Sequence, residues 1–119
     1  GGNFWVAIDK CSVVGTIAII NMGNGIGVLR KMFARPDYRG HPHRLGQQLM
    51  NVFLDWATAN GFEQIYLGTL DNLERAVPFY EKNGFQIFPE SDLPESIAKI
   101  KMRLDNRYYR LLLTRAQAA

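Results

Sequence analysis

The stretch best equipped for chemistry runs from Leu29 to Ala34, past Arg39-Gly40, and into Leu45-Gly46-Gln47. A strand feeding a glycine-bearing loop and then a helix start offers an anion unbonded backbone N–H groups and the positive end of a helix dipole. Arg39, His41, His43 and Arg44 add charge or donors around it, a supply that suits a pyrophosphate better than a single carboxylate. An ordinary basic loop with one helix-starting glycine would carry the same letters, so the junction alone leaves both readings open. His41-Pro42-His43 invites a metal reading, but two histidines with no nearby cysteine or acidic cluster form a poor ligand set, and no metal is expected. Trp5, Trp56 and the scattered tyrosines make no convincing nucleic-acid stacking set, because Trp56 falls on an apolar helical stripe. Asp55 and Glu63 read as solvated surface charges.

Several elements must position that junction. Phe4 to Ile8 and Val13 to Ile20 are apolar runs split by Asp9-Lys10, the pattern of a β-hairpin with a tight turn. Gly23-Asn24-Gly25 breaks the chain before a third strand from Ile26 to Ala34, which Arg35-Pro36-Asp37 ends. From Leu45 to Asn60, Leu45, Leu49, Val52, Phe53 and Trp56 share one helical face, with Gly61 in the C′ position. Gln64 to Gly68 is a short strand. Asp71-Asn72 then caps a second helix carrying Leu73, Ala76, Val77 and Tyr80, closed by Asn83-Gly84. Pro78 predicts a kink or a late start there, since it cannot donate to the preceding turn. Phe85 to Phe88 reads as a strand, Pro89 to Lys101 as a long loop or short helix, and Tyr108 to Thr114 as a last strand. Strands, helix, strand, helix and strands in that order predict an α/β (α+β) domain with one mixed sheet.

The whole chain constrains the possibilities further. Its 119 residues, 47% hydrophobic and 21% charged, suit one domain that folds. A net charge of +3 favours anionic ligands without approaching a polybasic tail, so no nucleic-acid partner is expected. Cys11 is the sole cysteine, which excludes an internal disulfide and fits a reducing cytoplasm. No apolar window is long enough to span a bilayer and the first residues lack the form of a signal peptide, so no membrane partner is expected.

The run Phe79-Tyr80-Glu81-Lys82-Asn83-Gly84-Phe85 lies beyond Lys31-Met32-Phe33-Ala34, Tyr38-Arg39-Gly40 and Ile65-Tyr66-Leu67-Gly68-Thr69. Together, from roughly Phe4 to Leu113, these resemble the Gcn5-related N-acetyltransferase (GNAT) family. The resemblance implies a mixed, mostly antiparallel sheet flanked by helices, acetyl-CoA as cosubstrate, and transfer of its acetyl group to a primary amine of a small molecule or protein. It implies that Leu29 to Ala34 is the splayed strand that takes the pantetheine arm, with Met32 and Ala34 as contacts. The Met32 N–H would polarise the thioester carbonyl. Tyr80 corresponds to the tyrosine that protonates the departing thiolate.

The family's phosphate loop reads Arg or Gln, two residues, Gly, one residue, then Gly or Ala. Here two extra residues separate Arg39 from Gly46, Arg44 stands in place of the middle glycine, and Pro42 has no N–H. The implied cradle is Arg44, Leu45, Gly46 and Gln47 at the helix start, with Arg39 and Gly40 behind it. Val28 occupies the position where some relatives carry a glutamate base, and Asn72 is better placed as a cap than as a cofactor contact. Relatives usually begin with a strand and two helices, whereas this chain begins at what corresponds to the second strand. The expectation is therefore a single, N-terminally incomplete domain over residues 1–119, whose open sheet edge suits a homodimer. A non-catalytic acyl-CoA-binding or assembly module of the same fold is the alternative.

Overall fold

The computed structural model describes residues 2–69, 76–100 and 107–113. Strands β1 (Asn3–Asp9), β2 (Ser12–Gly23) and β3 (Ile26–Ala34) form an antiparallel meander. Its first turn is centred on Lys10-Cys11 rather than Asp9-Lys10, and both residues have positive φ (49° and 65°). The second is centred on Asn24-Gly25 (56° and 76°). Positive φ at both central residues gives the turn twist that matches a β-hairpin. The break read at Gly23-Asn24-Gly25 is thus a second hairpin.

Pro36 does not simply end the chain's extended run. It starts the short helix α1 (Pro36–Arg39), because a fixed φ and a missing N–H cost nothing in a first turn. Helix α2 (Leu45–Ala59) follows, then β4 (Gln64–Thr69), α3 (Ala76–Lys82), β5 (Gln86–Phe88), a 3-10 turn at Glu90–Asp92, α4 (Glu95–Ile100) and β6 (Arg107–Leu112). The expected cap at Asp71-Asn72, Leu73, Lys101 and Thr114 lie outside the described residues. Pro78 is the third residue of α3 as described, and the residues that would show a kink or a late start before it lie outside the described ones.

Helices α2 and α3 end alike. Gly61 (φ 84°) and Gly84 (φ 93°) take the left-handed C′ position. Phe62 N–H donates to Ala57 and Gly61 N–H to Thr58, just as Phe85 N–H donates to Tyr80 and Gly84 N–H to Glu81. Each pair of bonds is a Schellman closure.

The six strands lie in the order β1-β2-β3-β4-β6-β5, with only the β3–β4 pair parallel. The mixed, mostly antiparallel sheet is as expected. Helix α2 covers one face with Leu45, Leu49, Met50, Phe53 and Ala57 against Ile17, Ile19, Leu29, Ile65 and Tyr109. Val52, expected on that stripe, is exposed, while Met50 and Ala57 are fully buried. Helix α2 can sit close because Gly15 lies beneath it: a Cβ there would come within 2.8 Å of Leu45 and 2.9 Å of Leu49. On the other face, α4 and Leu93, two residues before it, cover only one end of the sheet, placing Leu93 and Ile97 on Val28, Tyr66 and Tyr108. Among the described residues, no helix is long and apolar enough to cross a membrane.

Candidate active site

Strand β3 pairs with β4 only through Ile26, Gly27 and Val28, opposite Gln64, Ile65 and Tyr66. Among the described residues, no strand continues beside β3 on that side from Leu29 onward. A cleft therefore opens between the two parallel strands, edged by unladdered backbone of the kind to which an extended ligand adds as a strand. Next to it, the β2–β3 register shifts between Thr16↔Phe33 and Ala18↔Arg30, so Ile17 alone faces Lys31 and Met32. This is a β-bulge, and Lys31 adopts φ +57° within it. The Thr16 hydroxyl donates to the Lys31 carbonyl at 2.5 Å.

The bulge, the start of α2 and α3 meet at Gly46. A Cβ built there would lie 3.6 Å from Met32 Cε and 3.8 Å from Phe79 Cζ. Arg44 precedes the helix in a left-handed conformation (φ 48°, ψ 48°) and makes no side-chain cap. Its own N–H donates to the Gly40 carbonyl, and its carbonyl accepts from Gln47 and Gln48 N–H. Leu45 and Gly46 N–H are left without a carbonyl partner among the described residues, at the positive end of a 15-residue helix. These donors fit a phosphate. The Gln47 side chain is directed elsewhere: it exchanges hydrogen bonds with Asn83 (2.7 and 3.2 Å) and donates to Asn51. Gln47 thereby ties the start of α2 to the end of α3.

The Arg39 Nε donates to the Ala34 carbonyl at 2.6 Å, folding α1 back onto the end of β3. Gly40, Arg44, His41 and His43 are exposed around the helix start. Tyr38 anchors this region from below. Its hydroxyl donates to Asp9 Oδ2 at 2.5 Å and its ring packs on His43 with centroids 4.7 Å apart. The bond to Asp9 raises the Tyr38 pKa above the usual phenol value, with desolvation and the Asp9 charge adding to it. Arg35, in a bidentate pair with Asp37, places its guanidinium carbon over the Tyr38 ring, 5.3 Å from the centroid.

Tyr80 is buried in the middle of α3, its ring against Phe79, Phe85 and Tyr109. The Tyr80–Phe85 contact belongs to the Schellman closure, which commonly brings these two positions together. The Tyr109 hydroxyl is buried without a partner among the described residues. No group of three or more His, Cys, Asp or Glu side chains able to hold a metal occurs among the described residues. Met32, Ala34, Leu45, Gly46 and Gln47 thus gather near one junction, with Arg39, Gly40 and Arg44 on its exposed rim. Thr16, the Asp9–Tyr38 bond and the Gln47–Asn83 pair were not evident in the sequence. Their partners lie far apart along the chain and carry no local motif.

The chain matches the family model described as acetyltransferase (GNAT) domain over residues 1–87. It is 32% identical over 89 residues to YobR, an uncharacterized N-acetyltransferase of Bacillus subtilis, which covers 73% of this chain and 34% of that protein. The chain spans about a third of the length of this curated relative. A GNAT-family acetyltransferase structure from Staphylococcus aureus Mu50 is 36% identical, with a TM-score of 0.89 over 96% of this chain and 69% of that one. A GNAT-family acetyltransferase from Elizabethkingia anophelis, solved with acetyl-CoA bound, shares the fold at 15% identity, with a TM-score of 0.72 over 94% of this chain and 76% of that one.

Proposed function

Because the chain belongs to the GNAT acetyltransferase family, we propose that it transfers an acetyl group from acetyl-CoA to a primary amine of a small molecule or protein. The observation that carries this reading is the cleft between β3 and β4, with the Met32 bulge on its wall and the unbonded Leu45 and Gly46 N–H groups at its end. Acetyl-CoA supplies an activated acyl carbon and a thiolate leaving group. The backbone of Leu29 to Ala34 holds the pantetheine arm, and Leu45 and Gly46 N–H, with Arg39 and Arg44 nearby, hold the pyrophosphate.

The Met32 N–H donates to the thioester oxygen as negative charge grows there. The amine nitrogen forms its bond to the acyl carbon, the carbon–sulfur bond breaks, and the phenol of Tyr80 gives its proton to the sulfur. The acceptor attacks as a neutral amine, its nitrogen then gives up one proton to water, and water reprotonates the Tyr80 phenolate, since Val28 stands where a strand carboxylate would be. In this reading residues 1–119 belong to one acetyltransferase domain that acts in the cytoplasm and uses no metal.

Calorimetry with CoA and with acetyl-CoA tests the central claim. The two should bind with similar affinity, because the pyrophosphate and pantetheine contacts are common to both. Absence of heat and of any thermal shift at millimolar ligand would remove it. Thiol release with a panel of amines separates an enzyme from a binding module, which would bind both ligands and release no thiol.

A further inference from the structure

We infer that Thr16 is a positioning residue for the transfer: its hydroxyl holds the Lys31–Met32 peptide so that the Met32 N–H is aimed into the cleft. This rests on the acetyltransferase reading above and assigns a task to a side chain on the neighbouring strand. The Thr16 hydroxyl donates to the Lys31 carbonyl at 2.5 Å, and a carbonyl has only acceptor capacity, so the direction of that bond is fixed. The Lys31 carbonyl and the Met32 N–H belong to one planar trans peptide and point in opposite directions. Securing the carbonyl on the Thr16 side therefore turns the N–H away from it. Strand β4 has separated from β3 after Val28, so on that side the N–H meets no ladder partner among the described residues.

The bulge needs such an anchor. Lys31 sits at φ +57°, a region that L-residues with a Cβ seldom adopt, and Ile17 alone faces Lys31 and Met32. A bulge leaves its extra residue outside the ladder, and the Thr16 hydroxyl gives the Lys31 carbonyl a donor there. Threonine suits the task, since its β-branch restricts χ1 and keeps the hydroxyl in place. Thr16 is half-buried and faces Phe33 across the pair, so the side chain is already held by its neighbours.

Thr16→Val removes the hydroxyl at nearly constant shape, and Thr16→Ser restores it. In the ligand-free protein, the Lys31 and Met32 amide resonances should move in Thr16→Val and return in Thr16→Ser. Unmoved resonances would overturn the assignment whether or not the protein binds acetyl-CoA. In the parent, acetyl-CoA should shift the Met32 amide further than CoA does, because CoA lacks the acyl oxygen. That difference should vanish in Thr16→Val. Turnover in Thr16→Val should fall about tenfold or more, by analogy with loss of an oriented oxyanion donor. CoA affinity should stay within about twofold, and Thr16→Ser should recover most of the rate. Equal loss of CoA affinity and melting temperature, with no rescue by serine, would show that Thr16 merely supports the fold. A parent that fails to bind CoA at all would instead count against the acetyltransferase reading.

Discussion

Tyr80 and Tyr109 lie in one buried cluster with ring centroids 6.4 Å apart, yet their hydroxyls have different prospects. Tyr80 is the phenol proposed to protonate the leaving thiolate. Tyr80→Phe keeps the ring contacts with Phe79 and Phe85, so the fold and CoA affinity should be retained while turnover drops by about 10²-fold, the usual scale of general acid catalysis. Tyr109 supplies the control. Its hydroxyl is buried and unpartnered among the described residues, so Tyr109→Phe removes a group with an unmet desolvation cost. That variant should melt at the same temperature or higher and keep its rate. Equal rates in both variants, with chemistry rate-limiting, would return Tyr80 to the role of a core aromatic.

Tyr38 makes a prediction in alkali. In the fold its pKa is raised above 10.0, first by the bond to Asp9. A raised value means that folding favours the neutral phenol, so its contribution is fully present below about pH 10 and is lost as pH climbs through the folded value. Urea unfolding should find Tyr38→Phe less stable than the parent at pH 8, with the gap narrowing at alkaline pH. A gap that stays constant across that range would show that the bond to Asp9 does not hold the phenol neutral in the fold.

Among the elements, what could be read from sequence was whatever depends on near neighbours. The run Tyr80 to Phe85 is a helix end whose six residues carry both Schellman bonds and their apolar contact, so its letters suffice to define it. The same holds for Gly61. The Lys10-Cys11 turn lacks the glycine or asparagine that usually marks positive φ, which is why Asp9-Lys10 looked like the turn. Helix α1 was hidden because proline both ends strands and opens helices. Contacts between elements were illegible. Gln47 and Asn83 join α2 to α3 across 36 residues, and nothing local in either segment announces the pair. Each net hydrogen bond is worth about 1 kcal/mol, so Asn83→Ala should cost about 1–2 kcal/mol in urea unfolding. Gln47→Ala should cost a similar amount. The double variant should lose less than the sum, since both changes break the same interaction. Strict additivity would mean the two amides are independent of one another.

At the scale of the whole molecule, the cleft depends on where β3 parts from β4, and that is set by pairing between strands remote in sequence. Fold class was accessible from the order of elements, but the bulge register was not. Nor was the unequal cover of the two sheet faces. On the side away from α2, Phe4, Val6 and Ile8 are 54%, 48% and 65% exposed, and Val13 and Phe33 are exposed near them by register. Among the described residues, the strand bearing the first three is also at the end of the sheet order. Apolar side chains gathered on one face form a surface that gains by leaving water. Two copies of the chain are expected to pair through this face. Sedimentation velocity should show a dimer whose population rises with protein concentration. Val6→Lys places a charge at the centre of the face, opposite Thr16, at a position already half open to solvent. It should shift the protein to monomer while leaving urea stability, extrapolated to infinite dilution, nearly unchanged. A parent that sediments as a monomer at every accessible concentration would show that this face does not join two copies, and equal association of parent and Val6→Lys would move the contact elsewhere.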